Sequence, residues 1–149
     1  MTRSLLVLII TAALVTAGCR TADTPDYRSL PERASLGLPY SDAVRVGNWL
    51  FLSGAIGTPP GSRDVVAGGV EAETRQVLEN IKRNLEANDS SLRHVVKCTV
   101  MLVDISDFER MNAVYREYFP VNKPARSTFG VSGLARGARV EIECLAVVP

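Results

Sequence analysis

Histidine is almost missing from this chain: His94 is the only one in 149 residues. Cysteine is scarce too, with Cys19, Cys98 and Cys144 far apart. None of these four residues has ligand spacing to another, which excludes a zinc site or a C-x-x-C redox pair. A Ser-His-Asp or Cys-His centre would rest on His94 alone. That residue lies at a loop-to-strand junction and reads as an ordinary surface or helix-edge group. Excess charge is absent, with 17 basic side chains against 16 acidic and no Lys/Arg run, so the chain carries no footprint for nucleic acid. The segment GTPPGS, residues 57–62, lacks the Lys-Ser/Thr ending of a phosphate loop. Aromatics are few (four Phe, four Tyr, one Trp), so the core must be aliphatic. An apolar share of 46% is enough to build one and excludes global disorder, and the length suits a single domain.

The apolar residues are unevenly placed. Leu5 to Gly18 carries no charge and follows Arg3, the pattern of a signal peptide over residues 1–18. The run is shorter than the ~20 residues of a spanning helix. It ends Val15-Thr16-Ala17-Gly18-Cys19, which resembles a bacterial lipoprotein box with Cys19 as the lipidated residue, although Thr16 stands where Leu is commonest. Ordinary cleavage after Ala17 also fits. The expectation is export to the periplasmic side of a bacterial membrane, with contact to that membrane only through a lipid anchor at Cys19. Removing residues 1–18 takes Arg3 away and leaves no net charge, so no long-range steering of a charged partner is expected. Residues 19–38 hold two prolines and many small polar groups without a period, and read as a tether or as an arm packed on the domain.

The folded domain is expected over residues 39–149. Ala43 to Val46 and Trp49 to Ser53 flank Gly47-Asn48, a hairpin signal. Gly54 to Gly69 is a Gly/Pro-rich loop with room for a short strand at Asp64 to Ala67. Val70 to Ala87 reads as a helix with Thr74, Val77, Leu78, Ile81 and Leu85 on its apolar face; Glu71, Glu73 and Glu79 fall on the other side. Val95 to Val103 is apolar on both parities, a strand buried on both faces. Ser106 and Glu109 have capping-box spacing and open a second helix to about Phe119, where Pro120 stops it. Phe108, Met111 and Tyr115 lie on its inner face. Ser127 to Val131 and Val140 to Val148 are the last strands. Cys98 and Cys144 sit mid-strand as small core side chains; were their strands to adjoin, an exported protein could oxidise them. This order favours an α+β fold: a mixed sheet with two helices on one face. Val44, Val46, Leu50, Leu52, Val131, Leu145 and Val147 supply more apolar surface than two helices can cover, and self-association through the open face is the simple remedy.

Chemistry then falls to an arginine and two glutamates. Arg126 begins a strand after a Pro-containing turn. Glu141 and Glu143 share one face of a strand that otherwise reads as core, where charge is costly unless paired or used. They could equally face solvent at an edge or form a structural Arg-Glu pair.

PARSTFGVSGLARGARVEIE, residues 124–143, resembles the C-terminal signature of the Rid family (RidA/YjgF, reactive intermediate deaminases). The likeness continues through Pro39-Tyr40-Ser41, Phe51-Leu52-Ser53-Gly54, GGVEAETRQVLENIKRNLEA and VVKCTVMLVDISDFERMNAVYREYF, and covers about residues 38–148. It implies a chorismate-mutase-like fold assembled as a homotrimer, with the sheets lining a central barrel and active sites in the clefts between subunits. The implied activity is hydrolysis of reactive enamine and imine acids, such as 2-aminoacrylate, to 2-oxo acids and ammonia. No metal and no organic cofactor take part.

Carried over by position, Arg126 matches the arginine that grips the substrate carboxylate, using a fork that Lys cannot reproduce. Glu141 matches the acid that positions or activates water. Tyr40 matches a pocket phenol, Ser53 and Gly54 a strand-end site for water or carboxylate, and Asn112 a polar support on the second helix. Thr128 stands where some members have Cys and others Thr. Glu143 matches no reacting residue and reads as a paired structural charge. Arg126 favours the deaminase. An export signal, and a GAIGTPPGSRDVVAGG loop that differs in detail from the best-known deaminases, keep a second reading in view: a non-catalytic trimer that binds small carboxylates or acts as a scaffold in the cell envelope.

Overall fold

A computed structural model describes residues 24–149. The expected signal peptide over residues 1–18 and the expected lipidation site Cys19 lie outside the described residues. From Thr24 onward the expected tether is an arm laid on the domain. Strand β1 (Asp26–Arg28) pairs antiparallel with β2, and Leu30 is buried. A single helical turn, α1 (Pro31–Ala34), follows. The arm packs because Asp42 accepts the Leu30 N–H at 2.8 Å and Leu30 enters the core margin.

Strands β2 (Ala43–Val46) and β3 (Trp49–Leu52) form the expected hairpin, with Val46 opposite Trp49. Gly47 takes φ 57°, a conformation that fits the right-handed twist of the strands and that Gly adopts without cost. The next strand is β4 (Ala55–Ile56), and residues 64–67 form none. Both β3 and β4 lie against the same edge of the last strand, β7 (Val140–Val147). Phe51 opposes Leu145 while Ala55 opposes Ile142, so one extra residue is inserted at Ser53-Gly54. This β-bulge exchanges the faces of the residues that follow it, which is why alternation read from Leu52 onward misses β4.

Helix α2 (Gly69–Glu86) buries Thr74, Val77, Leu78, Ile81 and Leu85 as its period requires. Each such aliphatic side chain contributes ~1.5–3 kcal/mol, and truncating fully buried Leu78 to Ala would cost ~2–5 kcal/mol. Glu73, expected on the solvent side, is buried. Its Oε2 accepts the Arg139 N–H at 2.7 Å, so the carboxylate finds its partner in backbone that is remote in sequence.

Strand β5 (Val95–Leu102) is buried on alternate residues, so only one of its faces is covered within the protomer. The expected capping box does not form. Asp104 accepts the Ser106 N–H at 2.9 Å and opens a single 3-10 turn, after which α3 (Phe108–Tyr118) begins. Asp107 is buried instead, between Arg110 (2.9 Å) and Arg139 (2.7 Å). Helix α3 crosses to β6 (Ala125–Gly130), which lies parallel to β5 at the sheet edge.

The sheet order is β1-β2-β3-β7-β5-β6, with β4 beside β7. Helices α2 and α3 pack on one side, over Leu50, Leu52, Cys98, Val100, Leu102, Val140 and Ile142. The fold is the expected α+β mixed sheet with two helices on one face. Cys98 and Cys144 oppose each other on β5 and β7 and are joined as a disulfide, so the adjoining-strand reading holds in place of two separate core thiols. The other face carries Val44, Val46, Trp49, Phe51, Leu145, Val147 and Phe129 under no helix, as their register with one another shows. Leu50 and Leu52, counted with the uncovered surplus, instead alternate to the helix side and are buried there.

Candidate active site

Arg126 is the second residue of β6 and lies in register with Cys98, so its side chain projects on the helix side of the sheet. Edge position leaves the guanidinium half-buried. Its Nη1 donates to Asn112 Oδ1 at 2.9 Å. The guanidinium carbon lies 4.7 Å from the Tyr115 ring centre and 5.5 Å from that of Phe108. Two aromatic rings and one amide thus hold the group in place by cation-π attraction and a hydrogen bond. Among the described residues no carboxylate forms a salt bridge with it, so Nε and Nη2 keep a fork suited to a carboxylate. Thr128, two residues along the same face, has a buried hydroxyl without a hydrogen-bond partner, and so has Tyr115. Burial pushes the Tyr115 phenol up to about 12 against the opposing pull of Arg126, so it stays neutral.

Glu141 is the second residue of β7. It lies opposite Met101 and Ile56, on the face without helices. Its carboxylate rests on the bulge: a Cβ added to Gly54 would stand 2.0 Å from Glu141 Oε1. Only glycine permits that approach. Burial, and after it the charge of Glu143, raises the Glu141 pKa above the ordinary carboxylate value. Glu143 lies on the same face and is exposed, without an ion-pair partner among the described residues. With Phe51, Lys97, Thr99 and Leu145 it lines a shallow pocket of about 230 Å³. The structural pairing expected for it is therefore not made within the protomer.

Ser53 and Gly54 form the bulge. Ser53 Oγ donates to the Ser41 carbonyl at 2.7 Å, so the hydroxyl proton is committed to the loop and only its lone pairs face outward chemistry. Tyr40 is half-exposed, and its hydroxyl accepts from Arg33 Nη2 at 3.1 Å.

The expected residues therefore gather into two groups. Arg126, Asn112 and Thr128 stand at one sheet edge on the helix side. Tyr40, Ser53, Gly54 and Glu141 stand about the bulge. Within one protomer Arg126 and Glu141 project from opposite faces of the sheet. Sequence reasoning placed Phe108 and Tyr115 only in the core. The signal for more was their spacing of four and three residues from Asn112, which puts all three on one side of a helix.

The mixed sheet backed by two helices on one face is the fold of solved YjgF and L-PSP family structures. The family profile described as Endoribonuclease L-PSP matches residues 32–148, and the chain belongs to this family, the Rid (RidA/YjgF) proteins. A RutC family protein of Pyrococcus horikoshii is 49% identical over 108 residues, 72% of this chain and 86% of that protein. The human 2-iminobutanoate/2-iminopropanoate deaminase is 44% identical over 109 residues, 73% of this chain and 80% of that enzyme. Among solved structures, the E. coli YjgF gene product superposes with a TM-score of 0.75 at 35% identity, covering 83% of this chain and 99% of that one.

Proposed function

We propose that this protein hydrolyses small reactive enamine and imine acids of the 2-aminoacrylate type to 2-oxo acids and ammonia, working as a homotrimer. The observation that carries the reading is Arg126, a fixed guanidinium without a carboxylate partner among the described residues, in a chain 44% identical to a 2-imino acid deaminase. Arg126 of one protomer binds the substrate carboxylate through its open fork. The bulge of a neighbouring protomer brings Glu141. The enamine tautomerises to the imine, which is protonated on nitrogen, and Glu141 takes a proton from water as the oxygen bonds to the carbon and the C=N π pair moves to nitrogen. Glu141 then gives that proton to the amino group of the carbinolamine, the hydroxyl loses its own proton to solvent, and the C–N bond breaks to release ammonia and the 2-oxo acid. A carboxylate with a raised pKa is the stronger base for this step, and such help contributes ~10²–10⁴-fold. Self-association also supplies a cover for Trp49 and Phe51. The endoribonuclease description of the family names a reaction on a polyanion; the balance of 17 basic against 16 acidic side chains favours a small acid instead.

The test offers the chain from residue 20 to 2-aminoacrylate generated in place by a dehydratase. Faster pyruvate and ammonia release that vanishes in Arg126→Ala supports the deaminase. Retained binding of 2-oxo acids without acceleration would replace it with the binding-module reading.

We propose also that the chain is exported and lipidated at Cys19. Arg3, the uncharged run and the small residues before Cys19 support this, as does the Cys98–Cys144 disulfide, a bond favoured in oxidising compartments. Mass spectrometry of the mature N-terminus tests it: an intact Met1 or an unmodified Cys19 would overturn it.

A further inference from the structure

We infer that Arg33, on the N-terminal arm, is a positioning residue of this site: its effect on the reaction runs through Tyr40, which it holds directly, while its pairing with Asp42 supports the fold beneath the Ser53-Gly54 bulge. The inference rests on the deaminase reading for its kinetic readout. Arg33 reaches two partners with one fork. Its Nη2 donates to the Tyr40 hydroxyl at 3.1 Å, and its Nε lies 2.6 Å from Asp42 Oδ1 as an ion pair whose N–H is not aimed at the oxygen. The guanidinium also sits 6.0 Å from the Tyr40 ring centre. Tyr40 is 50% exposed in an irregular segment, where nothing in the local fold would select one rotamer.

Asp42 makes the connection. It is 7% exposed, and a carboxylate so buried needs a cation. Arg33 supplies it, while Asp42 Oδ2 takes the Leu30 N–H at 2.8 Å and so fixes the start of α1. The Asp42 carbonyl accepts the Ser53 N–H at 3.1 Å and Asn84 Nδ2 at 2.9 Å. The neighbouring Ser41 carbonyl accepts Ser53 Oγ. Arm, Tyr40, bulge and α2 therefore converge on Ser41-Asp42, and Glu141 rests on the same bulge. The Glu32–Arg83 pair at 3.4 Å ties α1 to α2 from outside. An arm that served stability alone would need Leu30, the β1 pairing and a cation for Asp42, but not a bond from that cation to the phenol.

The experiment compares the purified wild type with Arg33→Ala, Arg33→Lys, Tyr40→Phe and the Arg33→Ala/Tyr40→Phe double variant. Steady-state kinetics on 2-aminoacrylate are read beside thermal melting and the 13C NMR signal of the Tyr40 ring. Arg33→Ala and Tyr40→Phe should each raise KM about five-fold, the effect of one lost hydrogen bond, with kcat held within about two-fold. The double variant should be no worse than Tyr40→Phe. Lys keeps a charge for Asp42 but cannot span both partners, so Arg33→Lys should restore the melting temperature without restoring KM. The Tyr40 signal should shift in both Arg33 variants. Wild-type kinetics in Arg33→Ala, effects that multiply in the double variant, or recovery of KM by Lys would each overturn the inference. If the wild type turns nothing over, the deaminase reading fails by itself. The Kd for 2-oxobutanoate across the same proteins, by NMR titration, then decides the role of Arg33 by the same criteria.

Discussion

On one face of the sheet Leu50, Val100, Val140 and Ile142 are sealed beneath α2 and α3; on the other, Trp49 and Phe51 stand 48% exposed. Both faces come from the same strands by alternation. The sealed face ends at its edge in Arg126, held by Asn112, Phe108 and Tyr115. The bare face carries Glu141 against Gly54. The first half-site is fixed by helix packing, the second by a backbone irregularity. A protomer alone turns the two away from each other; in the proposed trimer a second copy over the bare face would bring them together.

The strongest test of that contrast mixes two inactive proteins. Arg126→Ala and Glu141→Gln each lack one half, and each is expected to lose more than ~10²-fold in kcat/KM. Refolded together at equal amounts, they should recover about a quarter of wild-type activity, since one random neighbour pair in four supplies both intact groups. No recovery would place both groups in one protomer's site and break the comparison.

Next in size is Phe51→Asp, which puts a charge on the bare face. Sedimentation should show the monomer, with activity down about 10²-fold and α-helical circular dichroism unchanged, because Phe51 faces away from α2. Gly54→Ala drives a methyl group into Glu141 and should cost about ten-fold in kcat/KM while Arg126-dependent binding of 2-oxobutanoate persists. Smallest is Glu143→Gln. Glu143 helps hold the Glu141 pKa up, so its neutralisation lets Glu141 ionise at lower pH, and the acid limb of kcat/KM moves to lower pH. The raised pKa also means that folding penalises ionised Glu141 as pH climbs through it. The variant should therefore melt slightly higher than wild type at neutral pH.

Periodicity in the sequence exposed α2 down to individual core residues, and the Gly47-Asn48 hairpin, because both depend on neighbours close in the chain. Glu73 escaped that reading because its partner is a backbone N–H of Arg139 on another element. The Ser106 cap did not form because Asp104 starts a 3-10 turn over Ile105–Asp107, which places Ser106 inside that turn rather than at the start of α3. The arm was ambiguous because three ladder residues and one leucine leave no period to read. Arg126 and Glu141 were both visible as individual residues. Their opposed orientation was not, since it follows from the registers of β6 on β5 and of β5 on β7, which no single strand contains.

Gly54 carries a last consequence. Where it meets Glu141 the boundary of the site is peptide backbone, and a methyl group there would have to displace the tip of the Glu141 side chain. The placement of the carboxylate is thus set by the absence of a side chain, while that of Arg126 is set by the presence of three, Asn112, Phe108 and Tyr115.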